Sequence, residues 1–236
     1  MTDAVTDAPG IRRSPNIWDN PAVYEIENNG VDRAGLIEST MRTVADWSGA
    51  DVLDIGCGTG FHLPRFAEAA RSVIGVEPHP PLAAIARRRT RRADNVVVHE
   101  GSAVALPLED ASVDFVHARW AYFFGPGCEP GLDELERVLR PGGTAFVIDN
   151  DPTASTFGGW FRRGFPEVDP IAVEQFWTAR GWSRERLGIA WEFSSREDFE
   201  AVVRIELPTT VAEAVLVEHP GATGVDYAVN LWFRAF

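Results

Sequence analysis

Between residues 50 and 150, short apolar runs alternate with stretches of helical periodicity. The runs Asp51-Val-Leu-Asp-Ile55, Ser72-Val-Ile-Gly-Val76, Val96-Val-Val98, Val113-Asp-Phe-Val116 and Thr144-Ala-Phe-Val-Ile148 have the length and branching of buried strands. Residues 63–70, 81–92 and 132–139 lie between them and predict helices, the last closed by Arg140-Pro-Gly-Gly143. Upstream, Leu36, Ile37, Met41, Val44 and Ala45 recur at helical spacing and predict an amphipathic helix over 31–47. Residues 16–29 set Trp18, Tyr24 and Glu25 among turn formers and predict a short helix or a flap. Downstream the pattern loosens. Residues 151–170 are rich in Gly, Pro and aromatics (Phe157, Trp160, Phe161, Phe165), and 171–180 predict a helix. Residues 189–193 predict a strand, 196–207 and 211–218 two helices parted at Pro208, and 225–233 a final strand.

Strands that alternate with helices specify an α/β fold, a mostly parallel sheet with helices on both faces joined by right-handed crossovers. Such sheets bind ligands beyond the carboxyl ends of their strands. No linker breaks the chain, so a single domain over 31–236 is expected behind an N-terminal tail and flap at 1–30.

Composition narrows the class. A hydrophobic share of 45% supports a sizeable core. No apolar stretch is long enough to span a bilayer, so no membrane role is expected. Residues 1–10 hold Asp3 and Asp7 and no basic residue; they read as a disordered tail rather than a secretory or transit peptide, and the expected compartment is the cytoplasm. Two isolated cysteines, Cys57 and Cys128, form neither a disulfide framework nor a zinc cluster. A net charge of −13 repels phosphate backbones, which argues against a nucleic-acid partner. The basic run 87–92 fits a solvated helix end.

The chemistry concentrates in Val52-Leu-Asp-Ile-Gly-Cys-Gly-Thr-Gly60, a strand running into a glycine loop and then a helix. Glycine permits the sharp turn and a close ligand approach, and the helix start offers free N–H groups. The third conserved position of a dinucleotide fingerprint, Gly or Ala, is Phe61 here, and the loop lacks the lysine of a P-loop. The second strand ends in Glu77, followed by Pro78, where a carboxylate has the two acceptor oxygens that a ribose diol needs. The third is followed by Glu100-Gly-Ser-Ala-Val-Ala-Leu-Pro107, and the fifth is preceded by Leu135-Glu-Arg-Val-Leu-Arg-Pro-Gly-Gly143.

These four motifs, in this order over residues 50–150, resemble the class I S-adenosylmethionine-dependent methyltransferases, and the last resembles their small-molecule branch. The resemblance implies a Rossmann-like seven-stranded sheet with an antiparallel last strand, a cofactor core at 50–150 and substrate-side elements at 151–220. It implies S-adenosylmethionine as cofactor, with S-adenosylhomocysteine as product. It assigns Asp54, Gly56, Cys57, Gly58, Gly60, Glu77, Pro78, Ser102, Ala103 and Arg119 to the cofactor. Ser102 departs from the pattern, since many relatives carry Asp there for the adenine amino group.

Methyl transfer needs alignment above all, because the cofactor carries the activated group. A base is needed only if the acceptor arrives protonated, and His62, His117 and Tyr122 are the candidates. His62 reads first as a helix-start residue, and Arg119 reads equally as a surface ion pair. Tyr24, Trp120, Tyr122, Phe123 and Trp160 are candidate acceptor contacts, with core packing as the other reading of the aromatics after the fourth strand. Asp149, Asn150 and Asp151 read as a polar strand end, and no metal is assigned. Neither an Asn-Pro-Pro-aromatic run nor a Pro-Cys pair of the nucleobase-modifying branches occurs after the fourth strand. With the acidic charge, this points to a small-molecule acceptor. Its pocket walls are expected from residues 151–182 and the N-terminal flap; the alternatives are a peptide acceptor or a non-catalytic cofactor-binding subunit. A homodimer stays open.

Overall fold

The computed structural model describes residue 11 and residues 13–236; the tail expected at 1–10 lies outside the described residues. The chain runs α1 (Pro15–Asp19), α2 (Pro21–Gly30), α3 (Leu36–Val44), β1 (Asp51–Ile55), α4 (Leu63–Ala67), β2 (Ser72–Glu77), α5 (Pro80–Thr90), β3 (Val96–Glu100) and β4 (Val113–Arg119). It continues α6 (Glu129–Val138), β5 (Leu139–Asn150), α7 (Ser155–Gly164), α8 (Pro170–Ala179), β6 (Ser183–Glu192), α9 (Arg196–Glu206), α10 (Thr209–Glu218) and β7 (Gly224–Ala235).

The seven strands form one sheet in the order β3-β2-β1-β4-β5-β7-β6, with β7 antiparallel to both neighbours and the first five strands parallel. Cores on its two faces include Trp47, Phe66, Phe115 and Phe146 on one side and Leu53, Val116, Trp177 and Trp232 on the other. Strand alternation carries the Phe115 face from apolar to polar toward the carboxyl end. Val52 and Phe115 belong to the core there, and the next positions along the same strands, Asp54, His117 and Arg119, bring polar groups to that end.

Several elements differ from their sequence pattern. Residues 16–29 form two helices, each started by a proline at its first turn (Pro15, Pro21). α3 begins only at Leu36, because Asp32, at a left-handed φ of 52°, turns back and accepts from the N–H groups of Leu36 and Ile37 at 2.9 Å. α4 stops at Ala67, where the Asn95 amide donates to the carbonyls of Ala67 and Ala70. α7 forms in spite of Gly158 and Gly159. A Cβ at Gly158 would lie 2.8 Å from the Asp151 carbonyl, so this helix packs closer than any side chain permits while burying Phe157 and Trp160. β6 starts six residues earlier than its apolar run, since Ser183-Arg-Glu-Arg186 pairs only on the β7 side. An edge strand carries charge on its solvent side without loss of pairing. α6 ends at Val138, as the pattern predicts, and Leu139-Arg-Pro-Gly-Gly143 already opens β5 through a register shift against β4.

At the opposite end of the sheet from the glycine loop, Arg140 bridges Asp51 and Asp114, the charged starts of β1 and β4, at 2.9 and 2.7 Å; Arg71 joins both. Hydrogen bonds from the Arg71 guanidinium, Ser72 and Arg140 hold the Asp51 carboxyl far below its usual range. Arg140→Ala is therefore expected to lower stability by roughly 1 kcal/mol at neutral pH, as for a partly exposed charge network. Because the folded pKa is depressed, the contribution exists above the unfolded pKa of about 4 and fades as pH falls below it. Urea melts of both proteins at pH 7 and pH 3 check the amount and its decline.

Candidate functional site

A cavity of about 140 Å³ opens at the carboxyl ends of β1, β2 and β4. Its floor is the glycine loop. Gly56 (φ 72°) and Gly58 (φ 55°) take left-handed conformations that favour glycine. A Cβ on Gly56 would sit 2.5 Å from Ala121 Cβ. Gly60 (φ 76°) corrects an expectation: it does not border the cavity but packs α5 against the loop, where a Cβ would meet Ala86 Cα at 3.0 Å. The other residues assigned to the cofactor, from Asp54 and Cys57 through Glu77 and Pro78 to Ser102, Ala103 and Arg119, all border it.

Glu77 is buried, and each carboxylate oxygen accepts one backbone N–H, from Gly58 at 3.0 Å and from His79 at 2.9 Å. Each keeps a second acceptor position. Burial raises its pKa to about 7 against the lowering effect of those two bonds. Across the cavity, Arg119 projects from the end of β4 beneath Trp120, with its guanidinium carbon 4.4 Å from the indole ring. Its Nε is buried without a hydrogen-bond partner among the described residues, and burial lowers its pKa. Trp120 itself holds a left-handed φ of 47° and stacks on Tyr227.

The roof comes from α1 and α2. Ile17, Trp18, Tyr24 and Asn28 line the cavity. Trp18 stacks on His79 at 4.3 Å, Glu25 of α2 accepts from Arg89 at 2.5 Å and from the Thr59 hydroxyl, and Asn16 donates to Glu206 of α9 at 2.6 Å. These helices are thus fastened to the glycine loop, to α5 and to α9 at once. Ile17 and Trp18 lie in the N-terminal flap expected to wall the pocket, and they line the cavity; Phe61 and Phe124, which the sequence pattern did not mark, line it too. The aromatics among them were visible signals, but nothing local says which way the N-terminal segment folds.

His62 and His117 meet at the inner wall, with ring centroids 5.6 Å apart, and both also line a smaller annex of about 30 Å³ behind Arg119. Burial, then Arg119 and His117, hold His62 well below the usual imidazole pKa. His117 Nδ1 lies 2.8 Å from Asp54 Oδ1, both side chains almost fully enclosed.

Tyr24, Trp120 and Tyr122 border the cavity as expected. Two acceptor candidates do not. Phe123 is fully buried in the core under α6, and Trp160 is buried against Phe157 and Phe199. No residue of 151–182 lines the cavity, because α7 and α8 pack their aromatics into the sheet instead. Asp149, Asn150 and Asp151 do not converge: Asp149 accepts from Asn230, Asn150 from Tyr227, and Asp151 from Thr153. Among the described residues, no helix is long and apolar enough to cross a membrane.

A strand order of 3-2-1-4-5-7-6, with a glycine loop after β1 and an acid ending β2, defines a nucleoside-binding α/β architecture. Comparison with known proteins makes the class specific. Residues 53–147 match the methyltransferase domain family. The chain is 30% identical to the demethylmenaquinone methyltransferase of Staphylococcus aureus strain MRSA252 over 198 residues, 82% of this chain and 80% of that protein. The Lactococcus lactis demethylmenaquinone methyltransferase is 29% identical over 76% of this chain and 71% of its own. Among solved structures, the YcgJ protein of Bacillus subtilis superposes with a TM-score of 0.62 at 17% identity, over 84% of this chain and 97% of that one. A SAM-dependent methyltransferase of Aquifex aeolicus superposes at 0.54, with 18% identity over 89% of this chain and 97% of that one. The chain belongs to the class I S-adenosylmethionine-dependent methyltransferases. It is an enzyme that transfers the methyl group of S-adenosylmethionine to a small molecule.

Proposed function

We propose that the acceptor is a hydroxylated aromatic ring of the quinol type and that the cavity under α1 and α2 holds cofactor and acceptor together. The observation that carries this reading is the cavity's composition: Glu77 and the glycine loop line it together with the aromatic side chains of Tyr24, Phe61, Trp120, Tyr122 and Phe124. Flat apolar walls suit a planar ring. The relatives that act on demethylmenaquinone support the same class.

The residues present fit the cofactor. Glu77 retains two acceptor positions for the ribose hydroxyls, Gly56 and Gly58 let a ligand lie against the backbone, and Ser102 and Ala103 close the adenine side. Arg119, a cation whose Nε lacks a partner, suits the cofactor carboxylate. When bound, S-adenosylmethionine supplies an electrophilic methyl carbon on a sulfonium. The chain's part is to exclude water with α1 and α2 and to hold the acceptor's attacking atom in line.

The test is incubation of the purified protein with methyl-labelled cofactor and three acceptor sets: short-chain demethylmenaquinols, simple catechols, and basic peptides. Labelled quinol is the expected product. Label in peptide alone, or in none of the three, overturns the reading.

A further inference from the structure

Asp54 and His117 are brought together by strand register. β1 and β4 are parallel neighbours with Asp54 opposite His117, and directly opposed residues of adjacent parallel strands project to the same face. The contact is the 2.8 Å approach of Nδ1 to Oδ1, at the bottom of the cavity. A buried carboxylate beside one ring nitrogen fixes the proton there, since the carboxylate can only accept. The other nitrogen, Nε2, is then a lone-pair acceptor on a ring that borders both the cavity and its annex.

The geometry points to His117 as the catalytic base of this enzyme, taking the proton of the acceptor hydroxyl on Nε2, with Asp54 as its positioning residue. The inference rests on the hydroxylated-ring reading of the acceptor. In the step, the acceptor O–H bond breaks and an Nε2–H bond forms. The electron pair stays on the acceptor oxygen and makes the ring the stronger nucleophile. Asp54 receives the Nδ1–H of the imidazolium and balances its charge.

His62 is the competing base, and its surroundings argue against it. It lies in the same wall, but Arg119, His117, Arg65 and Arg89 all oppose a positive charge on it, and among the described residues no carboxylate hydrogen-bonds its ring. His117 faces the same Arg119 and His62, with Asp32, Glu38 and Arg65 across the annex, yet among the described residues it is His117, not His62, that has a carboxylate in hydrogen-bond contact. A base needs stabilisation of its protonated form, and of the two imidazoles only His117 has it.

Two variants test the inference. His117→Gln is expected to lower kcat by at least about 100-fold, the lower range for loss of a general base. It should also remove the ascending limb of the pH–rate profile, with S-adenosylmethionine affinity within about threefold of wild type. Asp54→Asn is read without turnover, by 15N–1H correlation of the histidine rings in the protein free of cofactor. Wild type should show neutral His117 protonated at Nδ1, and Asp54→Asn should lose that tautomer preference. The inference falls if His117→Gln keeps the wild-type rate and limb, or if neutral His117 carries its proton on Nε2. If wild type methylates no hydroxylated ring while the ring spectra come out as expected, it is the acceptor reading that has failed.

Discussion

Gly56→Val is expected to abolish S-adenosylmethionine binding, with an affinity loss of more than about 100-fold in calorimetric titration. Two effects add. The left-handed φ of 72° costs a side-chain-bearing residue about 1–2 kcal/mol, and more with β-branching. The new Cβ would also lie 2.5 Å from Ala121 Cβ, a short side chain on a turn that cannot swing aside. Either the loop moves off the cavity floor or residues 120–122 move into it. Gly58→Ala is the milder companion. Its Cβ would meet only the flexible tip of Ile17 at 2.8 Å, so most of its effect is backbone strain and displacement of α1. A graded loss, Gly56→Val beyond Gly58→Ala, with both proteins melting cooperatively, is the expected result. Wild-type affinity in Gly56→Val would remove the glycine loop from the cofactor site.

Glu77→Ala is expected to weaken the cofactor by roughly 5- to 150-fold, equivalent to about 1–3 kcal/mol for hydroxyls left without acceptors. Glu77 also predicts a pH dependence. Burial lifts its pKa to about 7 in the free protein. Only the ionised form offers acceptors at both oxygens, so binding must expel a proton from a protonated Glu77. The dissociation constant should therefore fall as pH rises toward about 7 and level off above it. Below that point it should worsen by about tenfold per pH unit, the linkage for one proton. Glu77→Gln keeps the shape and lacks the proton, so its affinity should be weak and flat from pH 5.5 to 8.5. A wild-type dissociation constant flat over that range would show that ribose recognition does not use this carboxylate.

The acceptor side of the cavity is built differently from the pattern of the chain. Residues 151–182 look like pocket wall because they are aromatic and broken by Gly and Pro. Their aromatics are core: Phe157, Trp160, Phe176, Trp177 and Trp182 are all buried. The wall is formed by the N-terminal helices, whose side chains reach the cavity because Glu25, Trp18 and Asn16 fasten them at three places. Aromatic content alone does not separate a packed helix from a ligand wall. The distinction depends on which face the helix turns to the sheet.

Sequence alone determined the parallel half of the sheet, the glycine loop, Glu77 and the choice of cofactor. Each of these is a local matter: a strand's apolar run, a backbone turn that needs glycine, an acid placed at the end of the next strand. It also named His62, His117 and Asp54 separately. Tertiary structure alone decided that Asp54 and His117 are partners, since they are 63 residues apart and meet only through the register of β1 with β4. It also decided that Gly60 serves packing, that Phe123 and Trp160 are core, that α7 tolerates two glycines, and that of the two expected walls the N-terminal helices line the cavity while residues 151–182 do not. The physical reason is common to all of these. Propensity and periodicity act over one element, whereas burial, pairing and orientation come from contacts between elements far apart in the chain.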